Sequence, residues 1–260
     1  MTLATFDAAT LADTFVALRA SGARLDAPPP GGPETMAQAY AVQDAYIARM
    51  TEPVVGWKVG MTNAAAQEAG GIDEPMAGPL FESAVVPSPA DLATPPEALR
   101  IVECEFGFRM ATDLPAQDAP YTEAAVAAAV ATLHPAVEIV DVHLPGGLKA
   151  GPRWAAADGG GNMYWVPGAG TTDWSPGELP ERSVSVFLNG ERQGDGTAAA
   201  ALGNPVTVLA WLANHLIGRG LFLRAGDWVS TCLCTPMFSA APGDRIEADY
   251  AALGTVQVQF

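Results

Sequence analysis

The sequence predicts a globular fold that mixes helix and strand, with helices gathered at the N-terminal end and strands through most of the remainder. Three observations carry this. Apolar residues recur at helical spacing over roughly the first fifty positions. Runs rich in β-branched and aromatic residues, bounded by Gly and Pro, punctuate the middle of the chain. The C-terminal tail reads as successive strands. Hydrophobic residues make up 49% of the 260, enough to bury a full core as one large domain or as a small lobe plus a main one.

Taken in order, residues 4–23 carry Phe6, Leu11, Phe15, Val16 and Leu18 near helical spacing, with Gly22 as a stop. A Pro/Gly-rich loop, Ala27 to Pro33, precedes a second helix expected over 34–50. Residues 1–52 therefore read as a small helical lobe and 53–260 as the main domain. Pro53 to Met61 reads as a buried strand containing Lys58. Residues 62–83 read as a short helix and then a loop, ended by Gly70-Gly71 and the turn chemistry around Asp73-Glu-Pro and Gly78-Pro79; this loop suits a lid or pocket wall. A proline-punctuated connection over 84–100 leads to the strand Ile101-Val-Glu-Cys-Glu-Phe-Gly-Phe-Arg-Met110. Thr122 caps an alanine-rich helix expected to run from Glu123 to Leu133, where Pro135 stops it. The strand Ala136 to Val140 follows. Residues 145–162 read as loop, with Asp158-Gly-Gly-Gly-Asn162 able to bring backbone amides close to a ligand or to serve as an ordinary turn. Ser183 to Leu188 alternates, and Asn189-Gly190 is a strong hairpin turn. A helix is expected over 205–218, with Pro205 in its first turn. Asp227 to Thr231, Asp244 to Tyr250 and Thr255 to Phe260 read as strands.

The chemistry concentrates around the strand at 101–110. Alternate side chains share a face, so Glu103 and Glu105 point one way with Ile101 and Gly107, while Val102, Cys104, Phe106 and Phe108 point into a core. Adjacent carboxylates repel unless a cation lies between them, and hard divalent ions take oxygen ligands of this kind. Glu138 can bring a third carboxylate. The competing reading is a half-buried strand whose glutamates face water. Lys58 stands among Val55, Trp57, Val59 and Met61 in a chain with two lysines against eleven arginines. A buried ammonium needs a partner or loses its proton; the competing reading is a lysine that snorkels to water. The formal charge of −16 argues against nucleic acid or anionic membranes as partners. No apolar stretch approaches spanning length, and Met1 to Asp7 lacks the positive n-region of a signal peptide. Cys232 and Cys234 are too close for a relaxed disulfide, and with Cys104 they read as reduced cytoplasmic thiols.

In their order along the chain, Gly56-Trp-Lys-Val-Gly-Met-Thr62, Asp73-Glu-Pro-Met-Ala-Gly-Pro-Leu-Phe81, Glu103-Cys-Glu105, Pro135-Ala-Val-Glu-Ile-Val140, Ala157-Asp158, Leu202-Gly-Asn-Pro with Ala210-Trp-Leu-Ala-Asn214, Gly226-Asp227 and Gly243-Asp-Arg-Ile-Glu247 resemble the fumarylacetoacetase-like family, in its 2-keto-4-pentenoate hydratase and 4-oxalocrotonate decarboxylase branch. The resemblance covers nearly the whole chain. It implies an α+β fold on a rolled, mixed β-sheet, with residues 53–260 as the catalytic domain. It implies magnesium or manganese held by Glu103, Glu105 and Glu138, and Lys58 as a catalytic group beside a 2-oxo acid. Substrate contacts are implied at Leu80, Gly161, Asn162 and Thr231, and a homo-oligomer is implied. The reaction implied is that of a lyase, hydratase or decarboxylase, working through a metal-bound enolate as in aromatic meta-cleavage catabolism. The same enolate serves an acylpyruvate-type hydrolase or an oxaloacetate tautomerase, and a member stripped of its pocket would be a binding or partner subunit. Three departures stand out. Pentenoate hydratases usually carry an aspartate where this chain has Met76, and a serine where it has Gly161. Their Val-Asp-Ser-Arg pattern reads Val140-Asp-Val-His143 here. Hydrolase branches add a Glu–His pair from an N-terminal lid, whereas the first histidine of this chain is His134.

Overall fold

A computed structural model describes residues 5–231 and 233–260; the expected helix start at Ala4, the N-terminal reading from Met1 and the thiol of Cys232 fall outside these. Helix α1 (Ala8–Ser21) is capped by Asp7, whose carboxylate accepts from the amides of Ala9 and Thr10, and ends at Gly22 in the left-handed region. Helix α2 (Met36–Ile47) is capped by Thr35. Strand β1 (Val54–Gly60) follows, then α3 (Ala64–Gly70), capped by Asn63.

Residues 76–81 correct the expected loop. They form β2 (Met76–Phe81), buried throughout and paired antiparallel with β1. Pro79 tolerates this because β2 is the sheet's edge, so its missing N–H leaves no ladder partner orphaned. After the two-residue β3 (Ala90–Asp91) comes β4 (Ile101–Met110). The alanine-rich helix is shorter than expected. Helix α4 (Glu123–Ala128) gives way to β5 (Val130–Val140), which runs straight through Pro135. Helix propensity loses here because β5 pairs along the length of β4, Leu133 opposite Phe108 and Pro135 opposite Phe106. The stretch 145–162, expected as loop, contains α5 (Pro152–Ala157), with Pro152 in its first turn. Strand β6 (Asn162–Pro167) then follows, an element the sequence reading passed over.

The hairpin β7 (Ser183–Leu188) and β8 (Glu191–Thr197) turns at Asn189-Gly190, both with positive φ as that turn requires. Helix α6 spans Pro205–Gly218 as expected, and β9 (Trp228–Ser230), β10 (Phe238–Ser239), β11 (Arg245–Asp249) and β12 (Thr255–Gln259) complete the chain.

The strands form a mixed, curled arrangement. One sheet runs β2-β1-β9-β4-β5-β6, with β10 against the start of β4; the other runs β3-β12-β11-β7-β8. Among the described strands the pairs β1–β9 and β3–β12 are parallel. The main core lies where Val102, Cys104, Phe106 and Phe108 of β4 meet Val186, Ile246 and Val258 of the second sheet and Leu209 and Leu212 of α6. The opposite face of β4 carries the glutamates. On that side α1, α2 and α5 pack through Phe15, Tyr40, Tyr46 and Ala156 against Met76, Phe81 and Val140. The site therefore lies on the sheet face that these helices cover. Among the described residues no helix is long and apolar enough to cross a membrane.

Candidate metal centre

The antiparallel register of β4 and β5 puts Glu103 directly opposite Glu138, and the period of two along β4 brings Glu105 to the same face. One carboxylate oxygen from each of the three lies within 4.8 Å of the others. Glu105 and Glu138 are buried; Glu103 is half-buried and lines a cavity of about 340 Å³. Lys58 reaches the group from β1, across β9, where it pairs with Ser230 and Ser230 in turn with Gly107. Its Nζ lies 3.3 Å from Glu138 Oε1.

A layer of donors fixes the carboxylates. Asn162 Nδ2 donates to Glu138 Oε1 at 2.8 Å. Trp165 Nε1 donates to Glu105 Oε2 at 3.3 Å, and the Ser230 hydroxyl donates to the same oxygen. The Tyr250 hydroxyl accepts from the Glu105 amide at 2.9 Å and donates to the Ala136 carbonyl, tying β4 to β5 behind the site. Trp165 reaches Glu105 only because residue 107 is glycine: a Cβ there would lie 2.4 Å from Trp165 Cζ2.

The electrostatics leave room for a dication. Burial pushes the Glu103 carboxyl up to about 7 despite the opposing pull of Lys58, and burial likewise raises Glu138. For Lys58, burial works against the charge, but Glu138, Glu103 and Glu105 together outweigh it and hold the ammonium above its ordinary value. Three carboxylates against one ammonium thus form an acid-rich pocket. Glu138 Oε2 is buried with no hydrogen-bond partner, an orphan that costs stability unless a cation meets it. The donor set is all hard oxygen, which suits magnesium or manganese and not thiophilic metals.

The remaining candidates fall in different places. Lys58 and Glu103 line the cavity. Asn162 binds Glu138. Gly161, with φ of +72°, has its Cβ position against Val142, while the neighbouring Gly160 lines the cavity. Leu80 is buried against Ala136 and Trp165. Thr231 is buried, its hydroxyl donating to the Phe106 carbonyl at 2.6 Å. Met76 lines the cavity. His143 Nδ1 lies 2.9 Å from Asp158 Oδ1, beside a separate groove, and His134 is held by Thr132 and the Gly168 carbonyl. The supporting groups that sequence reasoning missed are Trp165, Ser230 and Tyr250. The aromatic run Met163-Tyr-Trp-Val166 was the available signal for β6; nothing local marks Tyr250.

No family model matches the chain. It is 32% identical over 230 residues to a 2-keto-4-pentenoate hydratase of Paraburkholderia xenovorans strain LB400, covering 85% of this chain and 82% of that one. It is 29% identical over 229 residues to a 4-oxalocrotonate decarboxylase of Pseudomonas putida, covering 87% and 86%. Among solved structures, the 4-oxalocrotonate decarboxylase of Pseudomonas putida G7, complexed with magnesium and adipate, superposes with a TM-score of 0.86 at 27% identity over 97% of both chains. A fumarylpyruvate hydrolase of Pseudomonas aeruginosa, 18% identical with a TM-score of 0.61 over 81% of this chain and 91% of its own, shares the fold. Carried by this likeness over nearly its whole length, the chain belongs to the 2-keto-4-pentenoate hydratase and 4-oxalocrotonate decarboxylase branch of the fumarylacetoacetase-like family.

Proposed function

We propose that this protein is a divalent-metal lyase, of hydratase or decarboxylase type, acting on a 2-oxo or 2-hydroxydienoic acid. One observation supports it above the others: Glu103, Glu105 and Glu138 converge within 4.8 Å, with Glu103 on the lining of a cavity and the Lys58 ammonium 3.3 Å from Glu138. The three carboxylates would hold magnesium or manganese. When bound, such an ion supplies Lewis acidity worth several kcal/mol toward the charge of an enolate.

The chain's own groups do the rest. Asn162 and Lys58 hold Glu138 in one orientation, and Trp165 and Ser230 hold Glu105. Lys58, kept protonated by its acidic neighbours, is placed to meet negative charge developing on the substrate's keto oxygen or to pass it a proton. Met76, in the cavity wall where pentenoate hydratases usually carry an aspartate, can move no proton. The helices α1, α2 and α5 keep bulk water from the covered face. The same reading takes the protein as a cytoplasmic homo-oligomer with a small 2-oxo acid as its partner, consistent with the buried thiols of Cys104 and Cys234.

The test is turnover of a panel of 2-oxo acids with magnesium or manganese, followed by product mass. Loss of carbon dioxide, gain of water and carbon–carbon hydrolysis give different masses. Activity is expected to vanish on metal removal and in Glu103→Ala, and to fall about 10²- to 10⁴-fold in Lys58→Met. Full activity of the metal-stripped protein overturns the proposal, and metal binding without turnover of any member would make this a binding subunit.

A further inference from the structure

A second cavity, of about 520 Å³, lies at the C-terminal ends of α2 and α6 and shares no lining residue with the one at the carboxylates. Ile47, Val54, Trp57 and Phe222 make its wall largely apolar, and its size suits a small ligand. Arg219 enters it from the end of α6. The Arg219 side chain is 9% exposed, and Asp44 takes its Nη2. Its guanidinium lies 4.4 Å over the Tyr40 ring and 5.7 Å over that of Trp57. Nε and Nη1 are buried and meet no hydrogen-bond partner among the described residues. The helix ends do not call on them. The Leu216 and Ile217 carbonyls of α6 accept from the amides of Arg219, Gly220 and Leu221, and the Asp44, Tyr46 and Ile47 carbonyls of α2 accept from those of Ala48, Arg49 and Met50. A buried guanidinium with two unmet nitrogens costs the fold stability until an oxygen reaches them, and its fork matches a carboxylate.

We infer that this cavity binds a small monocarboxylate with an apolar body, its carboxylate on Arg219 and its body against Trp57 and Phe222. The inference goes beyond the functional reading above and does not depend on it. The acids of the lining leave room for one negative charge. Asp44 is held by Arg219 itself, and Asp227 accepts from the Arg224 amide at 2.8 Å, turned to its own loop. Arg224, exposed at the rim and 5.0 Å over the Phe222 ring, adds a second positive charge. A further acid on the ligand would meet Asp44 and Asp227 without a cation left to pair with it.

The experiment is calorimetric titration of the full chain with benzoate, with benzamide and inorganic phosphate as comparators. Benzoate is expected to bind once per chain. Benzamide and phosphate should each bind at least tenfold more weakly, since one lacks the charge and the other the apolar body. Arg219→Gln should weaken benzoate about 10- to 100-fold. Phe222→Ala, which trims a half-buried ring and leaves Arg219 in place, should weaken it severalfold and keeps the test open if Arg219→Gln fails to fold. Glu103→Ala should leave benzoate binding unchanged. No benzoate binding by the parent chain, equal binding of either comparator, or binding lost in Glu103→Ala and kept in Phe222→Ala overturns the inference. So does an oligomer that binds no benzoate and dissociates in Arg219→Gln by sedimentation, because a second copy of the chain then fills the cavity.

Discussion

Glu138 is the most constrained side chain of the site. It is fully buried, its Oε1 meets both Asn162 and Lys58, and its Oε2 meets no donor. A carboxylate so placed depends on its neighbours for orientation. Asn162→Ala removes the neutral donor without touching the charge balance, and it is expected to weaken magnesium or manganese binding about 10- to 100-fold in titration calorimetry. Lys58→Met removes the one ammonium facing three acids. In metal-free protein it should cost about 3 kcal/mol of stability, the usual loss when half of a buried pair is deleted. Saturating magnesium should shrink that loss, because the ion supplies the missing positive charge. Urea unfolding of both proteins with and without the ion measures this; an equal loss under both conditions would show that Lys58 and the ion do not share the acids.

At the scale of the element, the site is a property of the β4–β5 register. Glu103 faces Glu138 only in this alignment, and a slip of one residue would turn one strand's glutamates to the other face. The alignment is fixed by core pairs on the opposite face, such as Cys104 with Val137 and Phe106 with Pro135, and by Tyr250 bridging the two strands. Gly107 is the one small residue on which this layer depends. Gly107→Ala drives a methyl into Trp165, so a loss of about 1–3 kcal/mol is expected from overpacking. Metal affinity should fall as well, since the displaced indole releases Glu105. Denaturation and metal titration on the same variant test both; a destabilised protein with unaltered metal affinity would separate Trp165 from the site.

For the molecule as a whole, the site straddles the main core and the helical cover, so ion binding should stabilise the entire fold. At a free ion concentration one hundred times the dissociation constant the gain is about 2.7 kcal/mol, read as a raised unfolding midpoint that chelation reverses. The seam between α6 and the helical cover has its own pH dependence. His215 of α6 stacks on Trp211 at 4.5 Å and meets Tyr40 of α2 at 4.8 Å. Burial, and then the nearby Arg219, push its imidazole down from 6.5 to about 4. Below 6.5 the unfolded chain takes up this proton before the folded one does, so stability is full above 6.5 and is lost as pH falls toward 4. Because the ring is part-exposed, the effect is discounted to roughly 1 kcal/mol. Unfolding free energies at pH 7.5 and 4.5 should differ less in His215→Gln than in the parent, by about that amount, in urea titrations.

The local chemistry was legible in the sequence. Helix α6 and its Pro205 start, the Asn189-Gly190 hairpin, the facing of Glu103 and Glu105 and the oddity of Lys58 all follow from periodicity, capping and composition, which are short-range. Pairing is not short-range. That residues 76–81 form a buried strand despite Gly78 and Pro79, that β5 begins inside an alanine-rich run, and that Trp165, Ser230 and Tyr250 close around the acids depend on partners far along the chain. Three carboxylates were written in the primary structure. Their meeting at one point was decided by strand register, because only the packed sheet sets residues 103 and 138 opposite one another and supplies the core packing that offsets their repulsion and desolvation.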